Sequence, residues 1–144
     1  MKLEDIQDQW EKDCIFDRTE LGEESLKIAQ LHSKYFKLFS HERLTQKKLE
    51  KQYKSLYKVK HEYYTGTISF EDLNSYGWEP NPLKILKSDI SIYLEADEDL
   101  MTISLRMDYQ KEKIDFLENI IRNINNRNYQ IKNAIEWERF KVGS

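Results

Sequence analysis

Apolar side chains recur at alternating steps of three and four residues from about residue 20 to residue 62. This spacing is typical of one face of an α-helix, and the segment holds no proline and no glycine after Gly22. We therefore predict one helix of roughly 40 residues. Polar residues interrupt its apolar row at Glu42, Thr45 and Gln52. The row itself consists of Ile28, Leu31, Tyr35, Leu38, Leu49, Leu56, Val59 and Tyr63.

A second long helix is predicted over residues 100–124, where the same spacing has one polar exception, Gln110. The acidic run at 97–99 precedes it, and negative charge stabilises the N-terminal end of a helix. Shorter amphipathic patterns predict a helix at 3–13 and a last helix at 129–140. Two long helices of this kind are expected to pack against each other in antiparallel fashion, because each needs a partner for its apolar row.

Turn-forming residues are concentrated between the two long helices. Residues 65–82 contain two of the four glycines and both prolines, and we predict an irregular loop there. One helical turn is predicted at 83–87, and the pattern at 90–94 fits either a short strand or a helix. The predicted fold is all-α: a short N-terminal helix, two long antiparallel helices joined by an irregular loop, and a C-terminal helix. We expect a single domain, 1–144, with the N-terminal helices, the basic surface and the loop in 1–95, and the second long helix and the C-terminal helix in 96–144.

Composition indicates that the chain does not complete its core alone. Only 39% of the 144 residues are hydrophobic and 34% are charged, which is a low apolar share for a compact globule. Long helices with broken apolar rows favour a core completed by further copies of the chain. No apolar run approaches the length of a membrane span, no secretory signal is recognised, and the single cysteine, Cys14, excludes an internal disulfide. We expect a soluble intracellular protein.

Motifs of common enzyme classes are absent from the sequence. It has no glycine-rich phosphate loop of either common type and no serine in a nucleophile-elbow context. His32 and His41 are nine residues apart on one predicted helix, so they are out of phase for a shared metal ion. We therefore expect a protein that is not an enzyme and that uses no cofactor or metal.

Charge is distributed in blocks. Residues 26–70 carry ten basic and three acidic side chains, whereas the flanking segments 1–25 and 71–100 are both strongly acidic. Within the basic block, four lysines are spaced by four, three and four residues and so form a continuous row on one helix face. We call this row, Lys47, Lys51, Lys54 and Lys58, the lysine ridge. Like charges at this spacing destabilise a helix, and a polyanion would cancel that cost.

Aromatic residues follow the lysine ridge directly. Cations for phosphates and flat rings for bases are the usual combination in proteins that bind single-stranded nucleic acid. Tyr63 lies on the apolar row, so we interpret it as a packing residue rather than a stacking one. The candidate contacts with single-stranded DNA are Lys47, Lys51, Lys54, Tyr57, Lys58, Lys60, His61 and Tyr64.

The segment LYKVKHEYYTG at 56–66 resembles the short basic and aromatic motif of the UvsY family, the recombination mediator proteins of tailed bacteriophages. The similarity extends in collinear order to the opening MKLEDIQ, to LEADEDL at 94–100 and to IKNAIEWERF at 131–140. The positions that match the motif are Lys58, Lys60, Tyr63, Tyr64 and Gly66, with lysine rather than arginine at position 60. Lysine keeps the charge but loses the planar, bidentate geometry of arginine.

The resemblance implies an accessory factor rather than an enzyme. Proteins of this family form ring-like homo-oligomers, hexamers or heptamers, and bind single-stranded DNA. They help load the phage RecA-like recombinase onto DNA coated with the phage single-strand-binding protein, which places them in the cytoplasm of the infected bacterial host. Their C-terminal helix is associated with oligomerisation, and the candidate residues for that role here are Ile131, Ala134, Ile135, Trp137 and Phe140.

A different class of protein fits the helical pattern equally well. A coiled-coil structural scaffold would have the same two long helices, and its basic face would bind an acidic protein partner. Competition by a single-stranded oligonucleotide distinguishes the two, because a scaffold of this kind releases little of its partner to DNA.

Overall fold

The computed structural model describes residues 1–143, and the secondary structure within them is entirely helical. The elements in chain order are α1 (Leu3–Asp13), α2 (Leu21–Thr65), α3 (Phe70–Tyr76), a 3₁₀ turn (Lys87–Asp89), α4 (Ile90–Glu95), α5 (Glu98–Asn125) and α6 (Arg127–Lys141). The predicted all-α fold is confirmed, and α2, with 45 residues, is the long helix expected from the apolar row. No helix in this part of the chain combines the length and the apolarity needed to cross a bilayer.

The middle of the chain differs from its prediction as an irregular loop. Residues 70–76 form α3, because the Ser69 hydroxyl accepts a hydrogen bond from the Asp72 N–H (3.1 Å) at its start. Gly77 ends α3 in the left-handed conformation, with φ of 69°. The turn predicted at 83–87 is wrong in position, since the 3₁₀ turn begins at Lys87. The segment at 90–94, which fitted strand or helix, is helical as part of α4.

The chain divides into two compact units. The first comprises Met1–Leu44 together with the chain from Lys111 onward, and the second comprises Thr45–Gln110. The fully buried core of the first unit consists of Ile6, Tyr35, Leu117, Ile120 and Ile124. The buried core of the second unit consists of Ile90, Leu94 and Leu100, with Tyr53, Leu56, Tyr64 and Ile85 packed against it. A single domain over 1–144 stays a prediction.

Buried ion pairs explain some of the polar breaks in the apolar rows. Glu42 is buried and pairs with Lys113 at 3.0 Å within the first unit. Arg127 pairs with Glu24 at 3.4 Å and donates a hydrogen bond to the Asp13 carbonyl oxygen at 2.7 Å. Within this unit α2 and α5 are antiparallel: Glu42 of α2 pairs with Lys113 of α5, whereas Glu24, nearer the start of α2, pairs with Arg127, which follows the end of α5. A charge buried without a partner of opposite sign is strongly destabilising, so each of these side chains depends on its partner for its burial.

Candidate nucleic-acid interface

The lysine ridge is an exposed row of cations on the second unit. All four of its lysines lie on α2 and are exposed to solvent. A helix turns by about 100° per residue, so the four side chains emerge within about 60° of one another, on the side opposite Leu56. Within residues 1–143 none of them forms an ion pair with a carboxylate. The ridge is therefore available to an external anion along about three helical turns.

Tyr57 and His61 lie beside the lysine ridge and share a cavity. The cavity has a volume of about 390 Å³ and is also lined by Lys87, Ile90 and Ser91. The Tyr57 ring is partly exposed and contacts Tyr53, with the ring centroids 6.1 Å apart. The structure thus brings together two predicted DNA contacts and adds a cation, Lys87, that the sequence pattern did not single out. Lys87 lies 29 residues after Lys58, so no helical spacing relates the two.

Lys60 is positioned differently from the other predicted cations. Its side chain is buried, with 7% of the residue exposed, and its ammonium group contacts Asp97 at 3.0 Å and Asp99 at 2.8 Å. The same group lies 4.2 Å from the centre of the Trp78 ring, a cation–π contact. Two residues along a helix correspond to about 200° of rotation, so Lys58 and Lys60 emerge on opposite sides of α2.

Tyr64 forms a buried cluster with Lys60 and Asp97, which we call the buried cluster. Its hydroxyl donates a hydrogen bond of 2.6 Å to the carboxylate of Asp97, and its ring packs against the core of the second unit. Asp97 also accepts a hydrogen bond of 3.0 Å from the backbone N–H of Leu100, which caps the start of α5. The Tyr63 ring packs edge-on against Tyr64 and Trp78, with centroids 5.2 and 5.5 Å away, and its hydroxyl donates to the Glu79 carbonyl oxygen at 2.9 Å.

The electrostatics of the cluster favour its charged groups. Burial alone would lower the pKa of Lys60, but hydrogen bonds to Asp99 and Asp97 outweigh burial, so the pKa rises above its usual 10.5. Burial likewise opposes ionisation of Asp97, yet the hydrogen bond from Tyr64 and the Leu100 N–H hold the pKa of Asp97 below its usual 3.8. Burial and the hydrogen bond to Asp97 raise the pKa of Tyr64. The cluster is thus an ion pair that persists across the neutral range.

The predicted oligomerisation residues do not share one environment. Ile131 is buried in the first unit, with 6% of its surface exposed, and Ala134 is half-buried. Ile135, Trp137 and Phe140 are exposed, and the last two rings stack with their centroids 5.5 Å apart at an interplanar angle of 21°. The exposed part of α6 therefore offers a flat aromatic surface. In the described residues there is no group of three or more His, Cys, Asp or Glu side chains arranged to hold a metal ion.

Over residues 1–143 the fold is all-helical and carries an exposed row of lysines that make no ion pair there, which are features of a nucleic-acid-binding protein. Comparison with known proteins makes the assignment specific: the family model described as "Recombination, repair and ssDNA binding protein UvsY" matches residues 9–144. The chain belongs to the UvsY family of recombination, repair and single-stranded-DNA-binding proteins. The resemblance noted in the sequence is thereby confirmed.

Individual relatives match over almost their whole length. The recombination protein uvsY of Enterobacteria phage T4 is 27% identical over 143 residues, which cover 99% of each chain. A crystal structure of the bacteriophage T4 recombination mediator protein UvsY, lattice type II, superposes with a TM-score of 0.86, 27% identity and 99% coverage of both chains. A second crystal form, lattice type IV, gives a TM-score of 0.85 at 25% identity over 97% of this chain and 99% of that one. The fold described above is therefore that of the family.

Proposed function

We propose that this chain is a recombination mediator that binds single-stranded DNA and helps load a phage RecA-like recombinase onto DNA coated by a phage single-strand-binding protein. The observation that carries the proposal is the lysine ridge, which is exposed and makes no ion pair within residues 1–143. Family membership supports it, since the family is described by recombination, repair and single-stranded-DNA binding. The protein acts by binding rather than catalysis, needs no cofactor, and works in the cytoplasm of the infected host.

Phosphate contacts provide most of the proposed affinity. The four ammonium groups of the lysine ridge follow the backbone of the strand, and binding releases the counterions that the strand carried. Tyr57 supplies a ring for a base, with His61 and Lys87 in the same cavity for a neighbouring phosphate. Lys60 and Tyr64 have a different role: they hold the end of α2 against the start of α5 and so keep the ridge in place.

Self-association multiplies this surface. We propose a ring-like homo-oligomer, a hexamer or heptamer, in which the aromatic surface of α6 is covered by another copy. Trp137 is 54% exposed and Phe140 is 73% exposed, and large exposed aromatic surfaces commonly mark interfaces. A closed ring repeats the lysine ridge once per subunit, so several weak sites act together on one strand.

The double substitution Trp137→Ala and Phe140→Ala is expected to lower the molar mass in solution toward the 17.5 kDa of one chain. The reason is that the stacked pair supplies the largest exposed apolar area of α6. Light scattering coupled to size-exclusion chromatography measures the mass directly. The matched control is Phe70→Ala with Leu83→Ala, two exposed apolar residues outside α6, which should leave the mass unchanged. An oligomer that survives the α6 substitutions intact contradicts this interface.

The acidic segments are candidates for protein contacts. Residues 1–25 and 71–100 each carry a net charge of about −6, and such surfaces attract basic partners or keep DNA on the ridge. We propose that the recombinase and the single-strand-binding protein meet these segments. The scaffold hypothesis, in which the basic face binds an acidic protein, predicts instead that a single-stranded oligonucleotide displaces little of that protein.

Loading is tested by following ATP hydrolysis by the RecA-like recombinase on a single strand already coated with the single-strand-binding protein. We expect the chain to shorten the lag before hydrolysis reaches its steady rate, because it makes the coated strand accessible. A naked strand is the control, since it needs no mediator and its lag should change little. If the chain binds DNA but leaves the lag on coated strand unchanged, it is not a mediator.

A further inference from the structure

A second groove runs along the side of the lysine ridge opposite Tyr57. It has a volume of about 540 Å³ and is lined at one side by Lys48 and Lys51 and at the other by Leu56, Tyr76 and Ile103. We call it the Tyr76 groove. Its volume falls in the range of roughly 300–1,000 Å³ usual for sites that bind small molecules or their fragments. All its residues belong to the second unit, so its shape is set within that unit alone.

The Tyr76 ring is held as a flat platform. It stacks on Trp78 with centroids 4.4 Å apart and an interplanar angle of 15°, and 46% of the residue remains exposed. Since Trp78 covers one face of the ring, the exposed part of Tyr76 offers the other face to solvent. The position of the ring is fixed by the end of α3, where Gly77 is left-handed and the Trp78 N–H donates to the Leu73 carbonyl oxygen at 3.0 Å.

The buried cluster supports the platform from beneath. The ammonium group of Lys60 lies 4.2 Å from the centre of the Trp78 ring, so Trp78 is held between the end of α3 and the ion pair at the start of α5. Asp99 lines the adjoining cavity together with Tyr76 and Trp78. Its charge is met by Lys60 at 2.8 Å. Asp99 is thus held in an ion pair beside the platform, although Lys60 shares its charge with Asp97.

The open side of the groove is cationic. Lys48 and Lys51 are both exposed, and neither forms an ion pair within the part of the chain described by the structure. Lys51 belongs to the lysine ridge as well, so the backbone of a strand that follows the ridge already contacts a cation of the groove. One unpaired nucleotide has a phosphate for the two cations and a flat base for the exposed ring of Tyr76.

We propose that the Tyr76 groove binds one nucleotide of single-stranded DNA, with its base stacked on Tyr76 and its phosphate held by Lys48 and Lys51. The inference rests on the proposed DNA-binding function and extends it to residues outside the 56–66 motif. A base in a duplex is already stacked on both faces, so the groove favours unpaired strands. Tyr57 and Tyr76 then grip bases on the two sides of the ridge, which bends the strand across α2.

The substitution Tyr76→Ala tests the groove. We expect binding of a short deoxythymidine oligonucleotide to weaken by about five- to tenfold, because one base loses its stacking partner. Binding of an abasic oligonucleotide of the same length should not change, because it has phosphates but no bases. Tyr76→Phe, which keeps the ring, should bind both oligonucleotides like the unsubstituted chain. Phe70→Ala removes an exposed aromatic from the other end of α3 and serves as the matched control.

Photo-crosslinking provides an independent measurement. An oligonucleotide that carries 5-iododeoxyuridine forms covalent bonds to aromatic rings stacked on the modified base, and mass spectrometry identifies the peptide. We expect a crosslink at Tyr76 in the intact chain that disappears in Tyr76→Ala. The groove proposal is wrong if Tyr76→Ala binds the deoxythymidine oligonucleotide as tightly as the unsubstituted chain and crosslinks form only at Tyr57. That result leaves the proposed DNA-binding function standing. Failure of the unsubstituted chain to bind either oligonucleotide overturns the proposed function as well.

Discussion

Replacing the four residues of the lysine ridge with alanine is expected to weaken binding of a single-stranded oligonucleotide by roughly a thousandfold at about 50 mM salt. Each phosphate contact on a single strand adds about 0.7 to the slope of log affinity against log salt, so four lost contacts lower the slope by about 3. The affinities of the ridge variant and of the unsubstituted chain should become equal near 1 M salt, where counterion release no longer contributes. Fluorescence anisotropy of a labelled oligonucleotide across a salt series measures affinity and slope together.

The matched control replaces four exposed lysines outside α2, namely Lys12, Lys84, Lys111 and Lys132. It changes the net charge equally, so a small effect on the slope shows that position rather than total charge matters. The ridge variant should also be more stable, with a free energy of unfolding about 1 kcal/mol higher, because three repulsive pairs on one helix face are removed. A ridge variant with unchanged slope, or a control variant that loses as much affinity, contradicts the proposed interface.

The long helices could be predicted because their signal repeats over many turns. The apolar row of residues 20–62 became α2, Leu21–Thr65, and the row at 100–124 became α5, Glu98–Asn125. Only the helix ends were displaced, by one to three residues. Repetition is what makes such predictions reliable, since each added turn must agree with the last.

The short helix α3 lacked that signal. It has seven residues, of which only Leu73 is buried, so no periodicity extends long enough to be recognised. Its stability comes from the Ser69 cap, the Gly77 end and the packing of Leu73, and the glycine and serine that make these features are typical of loops as well. The Tyr76 groove depends on α3, so it was not predicted either.

Lys60 shows which part of a site can be read from the sequence. It lies four residues after Leu56 and three before Tyr63, so its place on the buried side of α2 was available from spacing alone. Its partners were not, because Asp97 and Asp99 lie more than 35 residues further along the chain. The same is true of Glu42 and Lys113: the polar break in the row was visible, but the partner that permits its burial was not.

The substitution Asp97→Ala is expected to lower the free energy of unfolding by about 3–5 kcal/mol. Asp97 is buried and has three partners: the Lys60 ammonium group, the Tyr64 hydroxyl and the Leu100 N–H. Removing the carboxylate leaves a buried lysine with one partner at the surface, Asp99, and takes away the cap of α5. Since domains of this size are stable by about 5–15 kcal/mol, the loss is a large fraction of the total. Urea unfolding followed by circular dichroism measures it.

Asp99→Ala is the matched control, because Asp99 contacts the same lysine at 2.8 Å but its side chain is 59% exposed. Because the Asp99 carboxylate is largely solvated and Lys60 keeps its buried partner Asp97, this variant should lose only about 1 kcal/mol, much less than Asp97→Ala. Equal losses for the two variants mean that burial of Asp97 does not determine its contribution.

The pH dependence of stability tests whether the negative charge of Asp97 is what stabilises the fold. The pKa of Asp97 is lowered from 3.8 in the folded chain by its hydrogen bonds and by Lys60, against the opposing effect of burial. Its contribution to stability is therefore complete above about pH 4 and is lost as the pH falls through the lower, folded-state pKa. Asp97→Asn keeps an oxygen that can cap α5 but has no charge to lose. The difference in unfolding free energy between Asp97→Asn and the unsubstituted chain should be largest at neutral pH and shrink toward pH 2. A difference that stays constant over this range would mean that the shape of the side chain, not the ion pair with Lys60, holds α2 to the start of α5.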